Sequence, residues 1–271
     1  MQNDKIDLPN YDAMLYKICQ DEGIELKFLC TNWLKQLEKG NKVSYIHGWK
    51  FDINSYAAGL VADDKSATYE VLESAKIPAV EHVILYDFTN RAEYTLGRNS
   101  LPYVEKYLER HKNIVIKPNC GTGGTGVYKI SDKNQLKPIL IELFHGNPTL
   151  CMCPYHKVQR EYRTIWLDGE LKLAYMKTAM PGEWKFNLSH GAKAEEIPSD
   201  KYGKIVELAQ RTTKVMGLRF CSIDIVETEA NEMLVLEVNS GVMVRRFLSQ
   251  HPERYKDVEE MYREAVRKMF E

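Results

Sequence analysis

The chain has 271 residues, 44% of them hydrophobic and 28% charged, with a formal net charge of −1. That length allows one large domain or two to three small ones around a sizeable core, and the composition is that of a soluble globular protein. The near-neutral charge offers no pull toward nucleic acid or an anionic membrane, no apolar run approaches spanning length, and the polar start MQNDKIDLPNYD does not read as a signal peptide, so a cytoplasmic protein binding neither is expected.

In chain order, Tyr11–Gly23 carries Met14, Leu15, Ile18 and Cys19 at helical spacing and stops at Gly23. Ile24–Cys30 reads as a strand, Asn32–Lys39 as a short helix and Lys42–His47 as a strand, so residues 1–60 are expected to form a short α/β piece. Asp63 or Asp64 caps a helix running through Ala75. Val80–Tyr86 is predicted as a strand and Leu101–His111 as a helix. Next comes the most informative stretch, NIVIKPNCGTGGTGVYKI at Asn113–Ile130: a β-branched strand ending in Lys117, a loop holding Gly121, Gly123, Gly124 and Gly126, and a second strand. Such a loop turns its backbone N–H groups onto an anion. No helix follows it, against a dinucleotide-binding fold, and no Gly-Lys-Ser/Thr, against a P-loop. The alternatives are a nucleotide-covering flap or a plain glycine-rich hairpin.

Further along, Asn134–Phe144 is helical, and Leu150–Tyr155 and Tyr162–Leu167 are strands. The second of these turns at Asp168-Gly169 into Glu170–Lys177. Lys201–Met216 is an amphipathic helix ended by Gly217. Phe220–Glu227 and Met233–Asn239 form a hairpin, and Pro252–Phe270 a closing helix. Centring the hairpin turn on Ala230-Asn231 puts Asp224 opposite Glu237 and Ser222 opposite Asn239. Asp224, Glu237 and Asn239 then share one face, with Ile223, Ile225, Leu236 and Val238 on the other. Facing carboxylates repel unless a cation sits between them, and an Asp–Glu–Asn oxygen set suits Mg²⁺, so a metal site competes with a solvated sheet face. The six cysteines, Cys19, Cys30, Cys120, Cys151, Cys153 and Cys221, read as reduced thiols. Cys151-Met152-Cys153 lacks the second ligand pair of a zinc site.

Together these motifs resemble the ATP-grasp superfamily, in particular its carboxylate–amine ligases: the ribosomal-protein glutamate ligases, glutathione synthetase and cyanophycin synthetase. DDKSATYEVLESAKIP at Asp63–Pro78 is similar to the family's first lysine helix, and IVIKPNCGTGGTGV to its second-lysine strand and phosphate flap. REYRTIWLDGEL and EWKFNLSHGA resemble the acidic-x-Arg strand and the Arg-x-Asn loop, and SIDI with LEVNS resembles the metal strands.

The resemblance implies an α+β ATP-grasp fold over residues 61–271, with a flap subdomain near 79–155 and a metal-binding subdomain near 156–271. It also implies site roles. Lys65, Lys117 and the flap Gly121, Thr122, Gly123, Gly124, Thr125 and Gly126 would hold phosphates. Met152, Cys153 and Tyr155 would lie along the adenine, and Glu161 would accept from ribose hydroxyls. Arg163, Lys185 and Asn187 would serve the reacting groups. Asp224, Glu237 and Asn239 would hold Mg²⁺, two ions in the relatives, with Mn²⁺ as a substitute. Lys185, Gly191-Ala192 and Ser240-Gly241-Val242 depart from the family's arginine, double glycine and Ser-Pro-Gly. Arg245 and Arg246 are either solvated helix charges or the binders of a substrate carboxylate.

The expected activity is ATP-dependent joining of a carboxylate to an amine through an acyl phosphate, with amino acids or peptides as partners and room for a homo-oligomer. An ATP-grasp kinase for a small alcohol and a nucleotide-binding subunit without turnover are the alternatives.

Overall fold

The computed structural model describes residues 10–88, 95–121 and 123–271; the expectation at Thr122 lies outside them. The first helix, Tyr11–Asp21, is capped by Asn10, whose side chain accepts from the Ala13 N–H at 2.8 Å. It is followed by an antiparallel meander of β1 (Glu25–Leu29), β2 (Leu34–Lys39), β3 (Lys42–His47) and β4 (Lys50–Phe51).

The helix expected over Asn32–Lys39 is therefore a strand. Cys30, Thr31 and Asn32 all have positive φ, which no α-helix continues. The alternation is disguised because the residue buried beside Leu37 is Lys35. Its ammonium donates to the Asn32 carbonyl at 2.6 Å, lies 3.2 Å from Asp12 and sits over the Tyr11 ring.

Two further sheets build the body. β5 (Val83–Tyr86), β8 (Thr149–Pro154), β6 (Ile114–Pro118) and β7 (Tyr128–Ile130) form one, in the order β5-β8-β6-β7. Helices Leu101–His111 and Leu136–Gly146 cover its back and bury Val104, Leu108, Leu140 and Leu143 against Ile114, Ile116 and Met152. The other sheet runs β11-β10-β9-β12-β13, from β9 (Val158–Leu167), β10 (Glu170–Thr178), β11 (Lys193–Glu195), β12 (Phe220–Thr228) and β13 (Met233–Asn239). A short parallel bridge between Ala79 and Val235 ties the two sheets together.

Helix Ser199–Met216 packs one face of the five-stranded sheet. On the other, the closing helix Tyr255–Lys268, the first helix and the front meander share one core cluster with Ile165, Leu167, Tyr175 and Phe220. At roughly 1.5–3 kcal/mol for each fully buried apolar side chain, that shared core fixes the front piece to the sheet that carries the acids. No helix among the described residues is long and apolar enough to cross a membrane.

The acid hairpin pairs as expected at its open end, Asp224 with Glu237 and Ser222 with Asn239. Beyond Asp224 the register shifts, so that Ile225 pairs with Val235 and Leu236 is the extra residue of a bulge. Leu236 accordingly turns toward the cleft beside Val226 and Val115 instead of joining Ile223 and Ile225, which corrects its expected face.

Candidate active site

The two subdomains face each other across a cleft of about 560 Å³, within the range of small-molecule sites. Lys117, near the end of β6, enters it from one side and is 8% exposed. No carboxylate lies within 4.0 Å of its ammonium among the described residues. Burial opposes its charge, while Cys153, Cys151 and the more distant Glu237 and Glu161 hold it above the ordinary lysine value. A buried ammonium of this kind calls for an anion.

Lys65 begins the helix Lys65–Ser74, capped by Asp64, and is 7% exposed. It donates to the Gly121 carbonyl at 2.7 Å and lies 3.9 Å from Glu237. Asn119, which the sequence reading passed over, joins the two lysine segments. Its Oδ1 accepts from the Ser66 N–H at 3.1 Å and the Ser66 hydroxyl at 3.0 Å, and its carbonyl accepts from the Lys65 N–H at 3.3 Å.

The glycine loop turns through positive φ at Gly123, Gly124 and Gly126. Gly121, Gly123, Gly124 and Thr125 line the cleft. Gly126 does not: it packs against Leu143 and Pro118, so its smallness serves the hairpin. Gly124 touches Asn187 of the opposite subdomain so closely that a β-carbon there would meet the amide oxygen at 2.8 Å.

The floor is an ionic cluster. Arg163 on β9 donates to both oxygens of Asp224, at 2.9 and 2.5 Å, and Lys177 on β10 bridges Glu161 at 2.5 Å and Asp224 at 2.8 Å. Burial pushes the Asp224 carboxyl upward, but Arg163 and Lys177 outweigh it and hold it well below the usual range. Glu161 goes the other way: burial, with Asp224 close by, raises it against the pull of Lys177. Lys177 is a second residue the sequence reading missed.

Glu237 and Asn239 open onto the same space, and the Asn239 amide nitrogen lies 3.5 Å from Asp224. Two carboxylates and an amide on adjacent strands form the hard oxygen set that magnesium favours, so the residues fit that ion. Among the described residues no three His, Cys, Asp or Glu side chains gather as a metal cluster. An ion here would draw on the Asn239 amide and on phosphate oxygens for its remaining ligands.

At the far end, Cys153 and Tyr155 line the cleft with Trp184, whose ring meets that of Tyr155 edge-on at 5.9 Å. Met152 does not line it; alternation along β8 turns its side chain into the core behind the sheet. Lys185, Asn187, Arg245 and Arg246 all line the cleft, as does Trp49 from the front meander, which no local pattern singles out.

A family model for the RimK-like ATP-grasp domain matches residues 62–252. Glutathione synthetase of Yersinia pestis is 28% identical over 167 residues, 59% of this chain but 51% of that protein. A probable alpha-L-glutamate ligase of Aeromonas salmonicida is 26% identical over 244 residues, 87% of this chain and 71% of that protein. The chain thus spans from about half to about 70% of the length of these two relatives. Among solved structures, D-alanine–D-alanine ligase from Bacillus anthracis complexed with ATP shares the fold with a TM-score of 0.60 at 17% identity, over 80% of this chain and 70% of that one. The ATP-grasp ligase PsnB complexed with minimal precursor, Mg and ADP gives 0.55 at 16% identity, over 81% and 62%.

Proposed function

The chain belongs to the RimK-like ATP-grasp family, and from that premise we propose that it is an ATP- and Mg²⁺-dependent ligase joining a carboxylate to an amine, with amino acids or peptides as substrates. One observation carries the reading: the buried Lys65 and Lys117, under the glycine flap, face the Asp224–Glu237–Asn239 hairpin across a single cleft. Cations on one side and hard oxygens on the other are what a metal-bound triphosphate requires.

In the proposed reaction, a carboxylate oxygen of the first substrate attacks the γ-phosphorus and the bond to the β-phosphate breaks. This yields an acyl phosphate and ADP. The neutral amine of the second substrate then attacks the acyl carbon, the bond to the phosphate oxygen breaks, and the nitrogen gives up one proton to the departing phosphate, leaving an amide. Positioning and charge neutralisation carry most of such catalysis.

Lys65 and Lys117 take the α- and β-phosphates, and the N–H groups of Gly121, Gly123, Gly124 and Thr125 cover the transferring group. Arg163, whose Nε and Nη2 are held by Asp224, offers its remaining guanidinium N–H groups to the γ-phosphate or acyl phosphate, and Lys177 holds Asp224 and Glu161 in place for it. The second oxygen of Glu161 serves the ribose hydroxyls, and Lys185 and Asn187 add a charge and an amide beneath the flap. Asp224, Glu237 and Asn239 would hold one or two magnesium ions, which supply charge neutralisation at the phosphate oxygens when bound. The adenine lies along the backbone of Met152–Tyr155, flanked by Tyr155 and Trp184.

Six unpaired cysteines suit a reducing compartment, and we place the enzyme in the cytoplasm. We draw the functional boundary near residue 60, with the flap subdomain over 79–155 and the acid-bearing one over 156–271.

The test is incubation with ATP, Mg²⁺ and pooled amino acids or peptides. A ligase releases phosphate only when both partners are present, and mass spectrometry finds a product one water lighter than their sum. A phosphorylated product, or nucleotide binding without turnover, would overturn the reading.

A further inference from the structure

Past the phosphate site the cleft continues into a chamber assembled from three separate parts of the chain. The β3–β4 turn contributes Trp49, and the exit of β13 contributes Met243, Arg245 and Arg246. Tyr175 and Phe247, stacked with ring centroids 4.7 Å apart, form its base. The chamber adjoins the reacting centre, because Tyr175 is the cross-strand partner of Arg163, which in turn pairs with Asp224.

Trp49 is the one residue of the front piece that lines the cleft, among the described residues. It is firmly held. Its carbonyl accepts from the Val242 N–H at 3.0 Å, and its ring packs against that of Tyr11 at 4.4 Å. Gly241 lets the turn come this close: a β-carbon there would meet the Lys50 stem at 3.3 Å and Trp49 Cβ at 3.5 Å. The same turn is tied to the Tyr56–Asp63 helix by the Lys50–Asp63 ion pair, and Ser240 donates to Asp63 at 3.0 Å.

Arg245 and Arg246 are exposed to this space, and neither has a carboxylate within ion-pair distance among the described residues. A guanidinium fork matches a carboxylate with two parallel hydrogen bonds. Beside the two arginines, Trp49, Met243, Tyr175 and Phe247 present aromatic and thioether surface, against which an apolar group gains by leaving water.

We infer that the amine substrate is an amino acid or short peptide with a free carboxylate and an apolar side chain. Arg245 and Arg246 hold the carboxylate, and Trp49, Met243 and Phe247 receive the side chain. The amine is thereby directed toward Arg163. Trp49 is the specificity-determining residue, and the front meander's contribution to substrate choice passes through it. This inference rests on the ligase reading above.

The test measures phosphate release and product mass with the full chain, MgATP, a panel of carboxylate donors and three classes of amine. These are apolar amino acids such as leucine and phenylalanine, acidic ones such as glutamate, and leucinamide, which lacks the carboxylate. The expected result is kcat/KM at least tenfold higher for apolar than for acidic amino acids, and at least tenfold lower for leucinamide than for leucine. Arg245→Ala with Arg246→Ala raises the amine KM at least tenfold and leaves the ATP KM unchanged. Trp49→Ala erases the apolar preference, and Trp49→Phe, which keeps an aromatic wall, retains most of it. Glutamate joined as well as or better than leucine, leucinamide joined as well as leucine, or unchanged selectivity in a folded Trp49→Ala would overturn the inference while the ligase reading stands. Product from the pooled amino acids and peptides but from none of these amines would overturn the inference alone, and no product from the pool would overturn both.

Discussion

Gly124 and Asn187 touch across the cleft: a β-carbon at Gly124 would lie 2.8 Å from the Asn187 amide oxygen, and the glycine itself has a φ of +74°. The flap of one subdomain therefore rests on the loop of the other through a position where both the space and the backbone demand glycine. Gly124→Ala should hold the flap off its seat. Since misplacing reacting groups by about 1 Å costs roughly 100-fold in rate, we expect a loss of that order in kcat/KM. A Tm within a few degrees of the parent would show that the effect lies in closure. Near-parental kinetics would mean that this contact is incidental.

Lys177 neutralises two buried carboxylates at once, Glu161 and Asp224. Breaking such a pair by removing one partner costs about 3–5 kcal/mol because a charge is left buried and uncompensated. Lys177→Met should lose stability of that size in urea unfolding. Lys177→Met combined with Glu161→Gln should recover much of it, since the remaining Asp224 keeps Arg163. Equal losses in the single and double variants would show that the two groups do not act together.

Lys117→Met keeps the length of the side chain and removes its charge. MgATP affinity should fall at least tenfold, about 1.4 kcal/mol, by isothermal calorimetry, with the fold retained by circular dichroism. Glu237→Gln should likewise stay folded, yet lose turnover and bind Mn²⁺–nucleotide more weakly. Near-normal activity in Glu237→Gln would remove the metal assignment.

Glu227 carries a pH signature outside the cleft. It is fully buried and accepts from the Tyr162 hydroxyl at 2.6 Å and the Lys201 ammonium at 2.5 Å. Burial works to raise its pKa, but Lys201, Tyr162 and Arg160 outweigh burial and hold it below the ordinary value. A depressed carboxylate contributes stability that is fully present above its unfolded pKa, about 4.3, and is lost as pH falls through the folded value. Chemical denaturation below about pH 4.3 should therefore show a steeper loss in the parent than in Glu227→Gln. Parallel curves would contradict the assignment.

Much of the site could be read in the chain because its parts are local. The glycine loop with its lysine strand is contiguous, and the acid hairpin needs only a turn position to put Asp224 opposite Glu237. Bulges hid the rest. Counted from the Asp168-Gly169 turn, Glu161 would face Met176. An extra residue at Lys172 shifts the register and brings Lys177 opposite Glu161 instead. The extra residue at Leu236 likewise turns that side chain into the cleft. Lys35 concealed a strand because its burial relies on Asp12 and Tyr11, which no window around it contains. Trp49 reaches the cleft through tertiary packing against Tyr11 and Gly241, and no local pattern encodes that.

The most direct test of the central claim is a crystal structure of the full chain with Mg²⁺ and a non-hydrolysable ATP analogue. The account predicts the triphosphate between the Gly121–Gly126 loop and Asp224, Glu237 and Asn239, with Lys65 and Lys117 on its oxygens. An analogue bound elsewhere, or a triphosphate that meets the flap but not the acids, would contradict it.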